Sequence, residues 1–124
     1  MKKILIVDVD LPQRLALQEI LSERRAWRIV KASSTLDTLA RLRSLDLPDL
    51  CIFGTSVGET SGADLLKQLR AEPQHQLRVL PVLLTVPEAD RAKVSAEIGL
   101  DATYILGQPL VAAKVLAAVE RLIG

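Results

Sequence analysis

The chain reads as an α/β domain in which strands and helices alternate around a parallel sheet. Two observations carry this reading. Short apolar runs of strand length recur along the chain, and the gaps between them hold apolar residues at spacings of three and four, the helical period. Strand followed by helix, five times over, calls for a parallel sheet with helices packed on both faces. A length of 124 residues suits one domain spanning 1–124, and with 49% apolar residues its core needs no metal or disulfide staple.

The first strand is Lys3–Val7, an almost unbroken apolar run. Leu17, Ile20 and Leu21 mark the buried side of a first helix. Trp27–Ala32 alternates apolar residues with Arg28 and Lys31, as a strand at a sheet edge does. Ser34-Thr35-Leu36-Asp37 supplies the N-cap of a second helix, predicted to turn Leu36, Leu39, Ala40 and Arg43 to one face. Leu50–Phe53 is the third strand. Ala63–Ala71 is the third helix, with Leu65, Leu66 and Leu69, and it ends near Pro73. Val79–Val86 is the fourth strand. Pro87 suits the first turn of the next helix, where Glu88 and Asp90 complement the helix dipole and Gly99 ends it. Thr103–Leu106 is the fifth strand and Leu110–Ile123 the last helix, with Val111, Val115, Ala118, Val119 and Leu122 on one side.

With right-handed crossovers, two arrangements follow: a flavodoxin-like (βα)5 three-layer sandwich with strand order 2-1-3-4-5, or half of a dinucleotide-binding fold. The alternating second run favours the first, because that order puts it at an edge. In either case the site lies where strands one and three end, at Asp8–Asp10 and Gly54–Ser56. Hydride- or group-transfer chemistry on a nucleotide is disfavoured, since Asp8–Pro12 stands where a Gly-rich phosphate loop would be.

Composition excludes several partners. The net charge is +1 with both signs interspersed, which gives no basic surface for nucleic acid. Trp27, Phe53 and Tyr104 are too few for base stacking. No apolar run approaches the ~18 residues of a membrane span. Asp8 and Asp10 interrupt the run after Met1-Lys2-Lys3 too early for a signal peptide. The single Cys51 forms no internal disulfide, which fits a cytoplasmic location.

Ile4-Leu5-Ile6-Val7-Asp8, Pro48–Phe53, Ser61-Gly62 with the helix after it, and Gly99-Leu100-Asp101-Ala102 make the chain resemble, over essentially its whole length, a response-regulator receiver domain. The resemblance implies bacterial two-component signalling. In that family two acids after strand one and one after strand three hold a magnesium ion, which prefers hard oxygen ligands. The strand-three carboxylate is the nucleophile that accepts the phosphoryl group. A hydroxyl after strand four and a lysine after strand five hold the phosphoryl oxygens.

Carried onto this chain, the first acid is Asp8, but the second position is Val9. Asp10 matches a third acidic residue often found in the family, and Arg14 falls at its usual helix position. The phosphoacceptor position is Gly54, which has no side chain to attack phosphorus. Gln108 of Gln108-Pro109 replaces the lysine and brings hydrogen-bond donors without charge. Val57-Gly58 stands where Met-Pro is usual. Either Thr85 or, after a one-residue slip, Val86 takes the place of the hydroxyl, and a slip turns the side chain to the other face. The peptide before Pro109 is often cis in the family. Gly99–Pro109 is longer than the family pattern, which leaves open whether Tyr104 is its switch aromatic.

Acid pair, nucleophile and cation are thus altered together, as in a pocket that has abandoned phosphoryl transfer. The expectation is a phosphorylation-independent receiver that is not an enzyme, has no catalytic residue, needs no cofactor and acts through protein–protein contacts. Asp8 and Asp10 alone are a poor magnesium site. Two alternatives stand beside it: an unorthodox phosphoreceiver using Asp10 or a hydroxyl, and a regulatory module with a small molecule in the vacated pocket. Thr55, Ser56 and Ser61 read as turn formers, because no base adjoins them. Gly54 allows a positive φ or a close approach.

Elsewhere, Cys51 reads as an inert core thiol, His75 as solvated in the polar Glu72–Gln76 connection, and Arg24, Arg25 and Arg28 as a solvated rim. Trp27 reads as a half-buried anchor of the second strand. On the last helix, Leu110, Val111, Val115, Leu116, Val119, Leu122 and Ile123 extend beyond a core-facing stripe, so part of that surface is left for another chain. The family docks partners or dimerises through its fourth helix, fifth strand and fifth helix. Tyr104, Leu110, Val111, Val115, Leu116 and Val119 are therefore the interface candidates, for another signalling protein or a second copy.

Overall fold

A computed structural model describes residues 1–44, 47–99 and 104–124. Five parallel strands, β1 (Lys2–Val7), β2 (Trp27–Ala32), β3 (Leu50–Phe53), β4 (Val82–Pro87) and β5 (Tyr104–Gln108), form one sheet in the order β2-β1-β3-β4-β5. This is the flavodoxin-like arrangement, with Trp27–Ala32 at an edge, and not half of a dinucleotide-binding fold. Between the strands run α1 (Leu11–Ser22), α2 (Thr35–Leu42), α3 (Gly62–Arg70), α4 (His75–Arg78), α5 (Arg91–Ile98, after a 3-10 turn at Glu88–Asp90) and α6 (Ala112–Ile123).

β3 is apolar at every position and β1 from Ile4 to Val7, because both faces of the central strands are covered. Ile4, Ile6 and Ile52 pack with Leu17 and Leu21 of α1 and with Val115 and Val119 of α6. Leu5, Val7, Cys51 and Phe53 face the other way, onto Leu65, Leu66 and Leu69 of α3. Each such side chain contributes about 1.5–3 kcal/mol by leaving water. Val7 pairs with Phe53 and Phe53 with Leu84, so the ends of β1 and β3 lie level and Asp8 and Gly54 emerge side by side, next to Thr85 within β4.

Several elements differ from the sequence reading. The fourth strand starts at Val82, because His75–Arg78 form a helical turn and Val79 is exposed beside it. His75 is thus helical, though solvent-exposed as expected. Pro87 closes β4, and the next helix starts only at Arg91. The last helix begins at Ala112, with Val111 as its extended cap residue. The predicted start of the fifth strand, Thr103, lies outside the described residues, as does Leu100-Asp101-Ala102.

The buried face of α2 is rotated from the one expected. Thr35, Thr38 and Leu42 are buried, whereas Leu36 is 74% exposed. Local hydrogen bonding explains the rotation. The Thr38 hydroxyl donates to the Ser34 carbonyl at 2.8 Å, and the Thr35 hydroxyl donates to the Val57 carbonyl at 3.2 Å, so both threonines face inward with their polar atoms satisfied. Trp27 is buried rather than half-buried, at 6% exposure, within the α1–α6 core.

Candidate functional site

Asp8 leaves β1 with its side chain turned inward and only 2% exposed. Its Oδ1 accepts the Asp10 N–H at 2.9 Å, and the Arg14 guanidinium donates to its carbonyl oxygen at 2.8 Å. Burial raises its pKa above the ordinary carboxylate value. The Asp10 N–H opposes that rise, the Asp10 charge adds to it and Arg14 lowers it.

Next to it, Gly54 continues from β3 with its N–H on the Val7 carbonyl at 2.9 Å. A Cβ built on Gly54 would fall inside the Asp8 carboxylate, whose Oδ1 would be only 2.8 Å away and whose other atoms would be closer still. The space that a side chain at residue 54 would enter is therefore filled by Asp8. Gly54 does not have a positive φ; the described glycines that do are Gly58, Gly99 and Gly124. Of the two reasons for a glycine at 54, close approach is the one that applies. Gly62 closes the site from beyond, since a Cβ there would overlap the Gly54 carbonyl oxygen.

The other candidate residues are committed to local structure. Asp10 caps α1, with its Oδ1 accepting the Gln13 N–H at 3.3 Å, and it is exposed. Val9 is 43% exposed and its N–H donates to the Ser56 carbonyl at 3.1 Å. Ser61 caps α3 by accepting the Asp64 N–H at 3.1 Å, and Ser56 bridges to Ser61. The Thr55 hydroxyl donates to the Thr85 carbonyl at 3.5 Å. One buried acid, one exposed cap and a glycine do not make the hard, multi-carboxylate donor set that magnesium prefers. Among the described residues, no three His, Cys, Asp or Glu side chains are grouped to hold a metal ion.

The hydroxyl that meets Gln108 is that of Thr85, 1% exposed, which accepts from Gln108 Nε2 at 3.4 Å. Val86 points to the opposite face, into the core under α3. The Gln108-Pro109 peptide is cis.

Two features escaped sequence reasoning. Glu88, paired with Arg91 at 3.0 Å, lies across Gly107, where any Cβ would overlap its carboxylate. The connection from Gly54 to Ser61 is also tied to the start of α2. Thr35 N–H donates to Glu59 Oε2 at 3.2 Å, and the Thr35 and Thr60 hydroxyls lie 3.0 Å apart. Gly58, with φ of 112°, is the residue that lets this loop approach α2, and its place after Val57 was the available signal. Cys51 is wholly buried, and burial pushes its thiol pKa up, which suppresses thiolate chemistry.

The interface candidates divide. Val115 and Val119 are completely buried, filling the core between α6 and α1, so they cannot meet a partner. Leu110 and Leu116 are partly buried against the same core. Tyr104 and Val111 remain accessible, at 38% and 50% exposure. Both line a groove of about 530 Å³ that runs between the Glu88–Arg91 turn, the edge strand β5 and α6. A smaller groove of about 210 Å³ lies at the opposite end of the sheet, beside Lys3, Arg28 and Arg41. Neither includes Gly54 or Asp8. Arg24 is ion-paired with Glu120 of α6, so it joins two elements as well as forming part of the rim. No helix among the described residues is long and apolar enough to cross a membrane.

The family model of the response regulator receiver domain matches residues 4–120. Among solved structures, the chain is similar to the signal receiver domain of a signal transduction histidine kinase from Syntrophus aciditrophicus, with 27% identity, 99% of this chain and 90% of that one covered, and a TM-score of 0.84. It is also similar to the chemotaxis response regulator CheY4 of Vibrio cholerae, with 22% identity, 99% of each chain covered and a TM-score of 0.81. The receiver domain of NtrX from Brucella abortus shares 21% identity over 97% of each chain, with a TM-score of 0.82. No curated protein matches the chain.

Proposed function

In a chain that belongs to the response regulator receiver family of two-component signalling, we propose a domain that signals without being phosphorylated itself, through contacts of its surface with another signalling protein. The observation that carries this reading is the packing of Asp8 into the space beside Gly54. Phosphoryl transfer needs a nucleophilic oxygen open to the donor and a metal to neutralise the incoming charge. At Gly54 there is no side-chain oxygen, and the neighbouring carboxylate is 2% exposed and hydrogen-bonded to Asp10. Asp10 and Ser61 are engaged as helix caps. The same packing argues against an effector in the vacated pocket.

On this reading the domain is a binding module, not an enzyme. It needs no magnesium and works in the cytoplasm with its partners. A receiver without its covalent switch rests in whichever conformation its sequence favours, and only a partner with differential affinity moves it. The accessible groove beside β5 is the face through which such a partner would act.

The test is a titration with beryllofluoride and with acetyl phosphate, both with magnesium, followed by amide spectra and intact mass. The expected outcome is no shift and no added phosphate. A stoichiometric, magnesium-dependent shift, or a base-labile phosphate on an aspartate, would favour the unorthodox phosphoreceiver.

A further inference from the structure

We infer that the groove between the start of the β1–β2 pair and the end of α2 binds a small phosphate monoester. Arg28 and Arg41 hold its phosphoryl group, and its carbon body lies on Leu5, Val30 and Pro48. Lys3 and Asp8 stand at opposite ends of β1, so this site is separate from the strand-end site and does not depend on the surface-contact reading. Strand register brings its residues together. Lys3 lies opposite Arg28 and Leu5 opposite Val30 in the parallel pair, and all four line the groove. Adjacent strands run about 4.8 Å apart, so the two cations start as neighbours. Arg41, in the last turn of α2, lines the groove from the helix side, and Pro48 lines it from the approach to β3.

Charge points to an anion. None of the described lining residues is acidic. Arg28 is exposed and has no ion pair or side-chain hydrogen bond among the described residues. Arg41 gives its Nε–H to Asp37 and keeps its terminal amino groups for a ligand. Like charges gathered without an acid repel, and an anion between them relieves the repulsion. The carbonyl end of α2 offers only about half a negative charge against Lys3, Arg28 and Arg41. Two guanidinium forks also select the head group. A planar carboxylate is satisfied by one fork, whereas a phosphoryl dianion has three oxygens and accepts from both arginines and from Lys3. The floor selects the rest, since Leu5 and Pro48 are buried and Val30 half-buried, giving carbon surface for an apolar body. A volume of about 210 Å³ lies below the roughly 300–1,000 Å³ of sites for larger ligands, which suits one ring or a short chain.

The test titrates the labelled protein, without magnesium, with phenyl phosphate, inorganic phosphate, benzoate and a glutamate-rich peptide, and follows amide shifts. Phenyl phosphate should give saturable shifts in the first halves of β1 and β2 and in the last turn of α2. Its affinity should exceed that of inorganic phosphate and of benzoate by at least about tenfold and weaken with salt. Arg28→Gln should lower that affinity at least about tenfold, and Arg28→Lys less, because it keeps the charge without the fork. Melting curves check that both variants fold, as expected for an exposed side chain. Equal affinity for phenyl phosphate and inorganic phosphate would overturn the inference, because the floor would then add nothing. So would the absence of a saturable shift at about 10 mM, shifts centred on Asp8 and Gly54, or unchanged binding by folded Arg28→Gln. Tighter binding of the peptide would also overturn it, since the occupant would then be another protein. The beryllofluoride titration bears on the strand ends alone, so neither reading falls with the other.

Discussion

The strand-end site and the groove beside β5 lie on one fold but have been treated in opposite ways. At the strand ends, space is filled: Asp8 packs where a side chain at residue 54 would stand, and Gly62 lies against the Gly54 carbonyl. Beside β5 space is kept: a groove of about 530 Å³ retains exposed Tyr104 and Val111 and two cations, Lys114 and Arg121, with no carboxylate partner among the described residues. A receiver that still used its phosphoryl pocket would need the first region open and charged. On the proposed reading, phosphoryl chemistry is given up at one place and a partner is met at another.

The largest effect should come from Gly62→Ala. The atom its Cβ would strike is a backbone oxygen, which cannot swing aside as a side chain could. Urea unfolding should show a loss of about 3 kcal/mol or more. A loss below about 0.5 kcal/mol would mean that the strand-end site has slack, and the contrast with the groove would weaken.

Gly54→Ala should cost less, about 1–3 kcal/mol, because the obstacle is a side chain. Asp8 can turn away, but only by giving up its bond from the Asp10 N–H. The same substitution in an Asp8→Ala background should be nearly free, giving a coupling of at least about 1 kcal/mol in a double-mutant cycle. Additive effects would show that Asp8 does not occupy the place assigned to it.

The strand alternation, the edge position of Trp27–Ala32 and a glycine at the end of β3 were all legible in the sequence, because apolar run length and residue identity carry them. Thr85 against Val86 was undecidable until the β4–β5 register placed Thr85 opposite Leu106 and Val86 opposite Gly107. Val115 and Val119 were kept among the interface candidates because a helix with apolar residues over a wide arc does not say which of them the neighbouring helix covers. The face of α2 was misread because it was drawn through Leu36, Leu39 and Ala40, whereas hydrogen bonds to Ser34 and Val57 let Thr38 and Thr35 sit inside. That Asp8 fills the void beside Gly54 depends on the level ends of two strands 46 residues apart in Val7↔Phe53 register, which no local pattern encodes.

The pH dependence of stability sharpens the first half of the contrast more gently. Because burial raises the Asp8 pKa in the folded state, the folded protein holds this proton more tightly than the unfolded chain does. The contribution of Asp8 to stability is therefore greatest below its ordinary value of about 3.8, declines as pH rises toward the folded value, and is flat above it. Asp8→Asn removes that decline and keeps an oxygen to accept the Asp10 N–H. The melting temperature of Asp8→Asn minus that of the parent should grow with pH across this window and then level. A difference independent of pH would mean that the carboxylate is ionised without cost, as at an open site.

The smallest effect is expected at the groove beside β5. Lys114→Glu and Arg121→Glu change charges that hold no other part of the described structure, so each should alter unfolding free energy by no more than about 0.5 kcal/mol. That near-silence is itself diagnostic. A side chain kept for folding reports its removal in stability, whereas one kept for a partner reports it only when the partner is present. If either reversal costs as much as Gly54→Ala, the groove wall is part of the scaffold, and the division between a closed site that stabilises and an open one that recognises fails. If both are silent in urea, the fold is carried elsewhere and the cations beside β5 are left for a partner, as the proposed division requires.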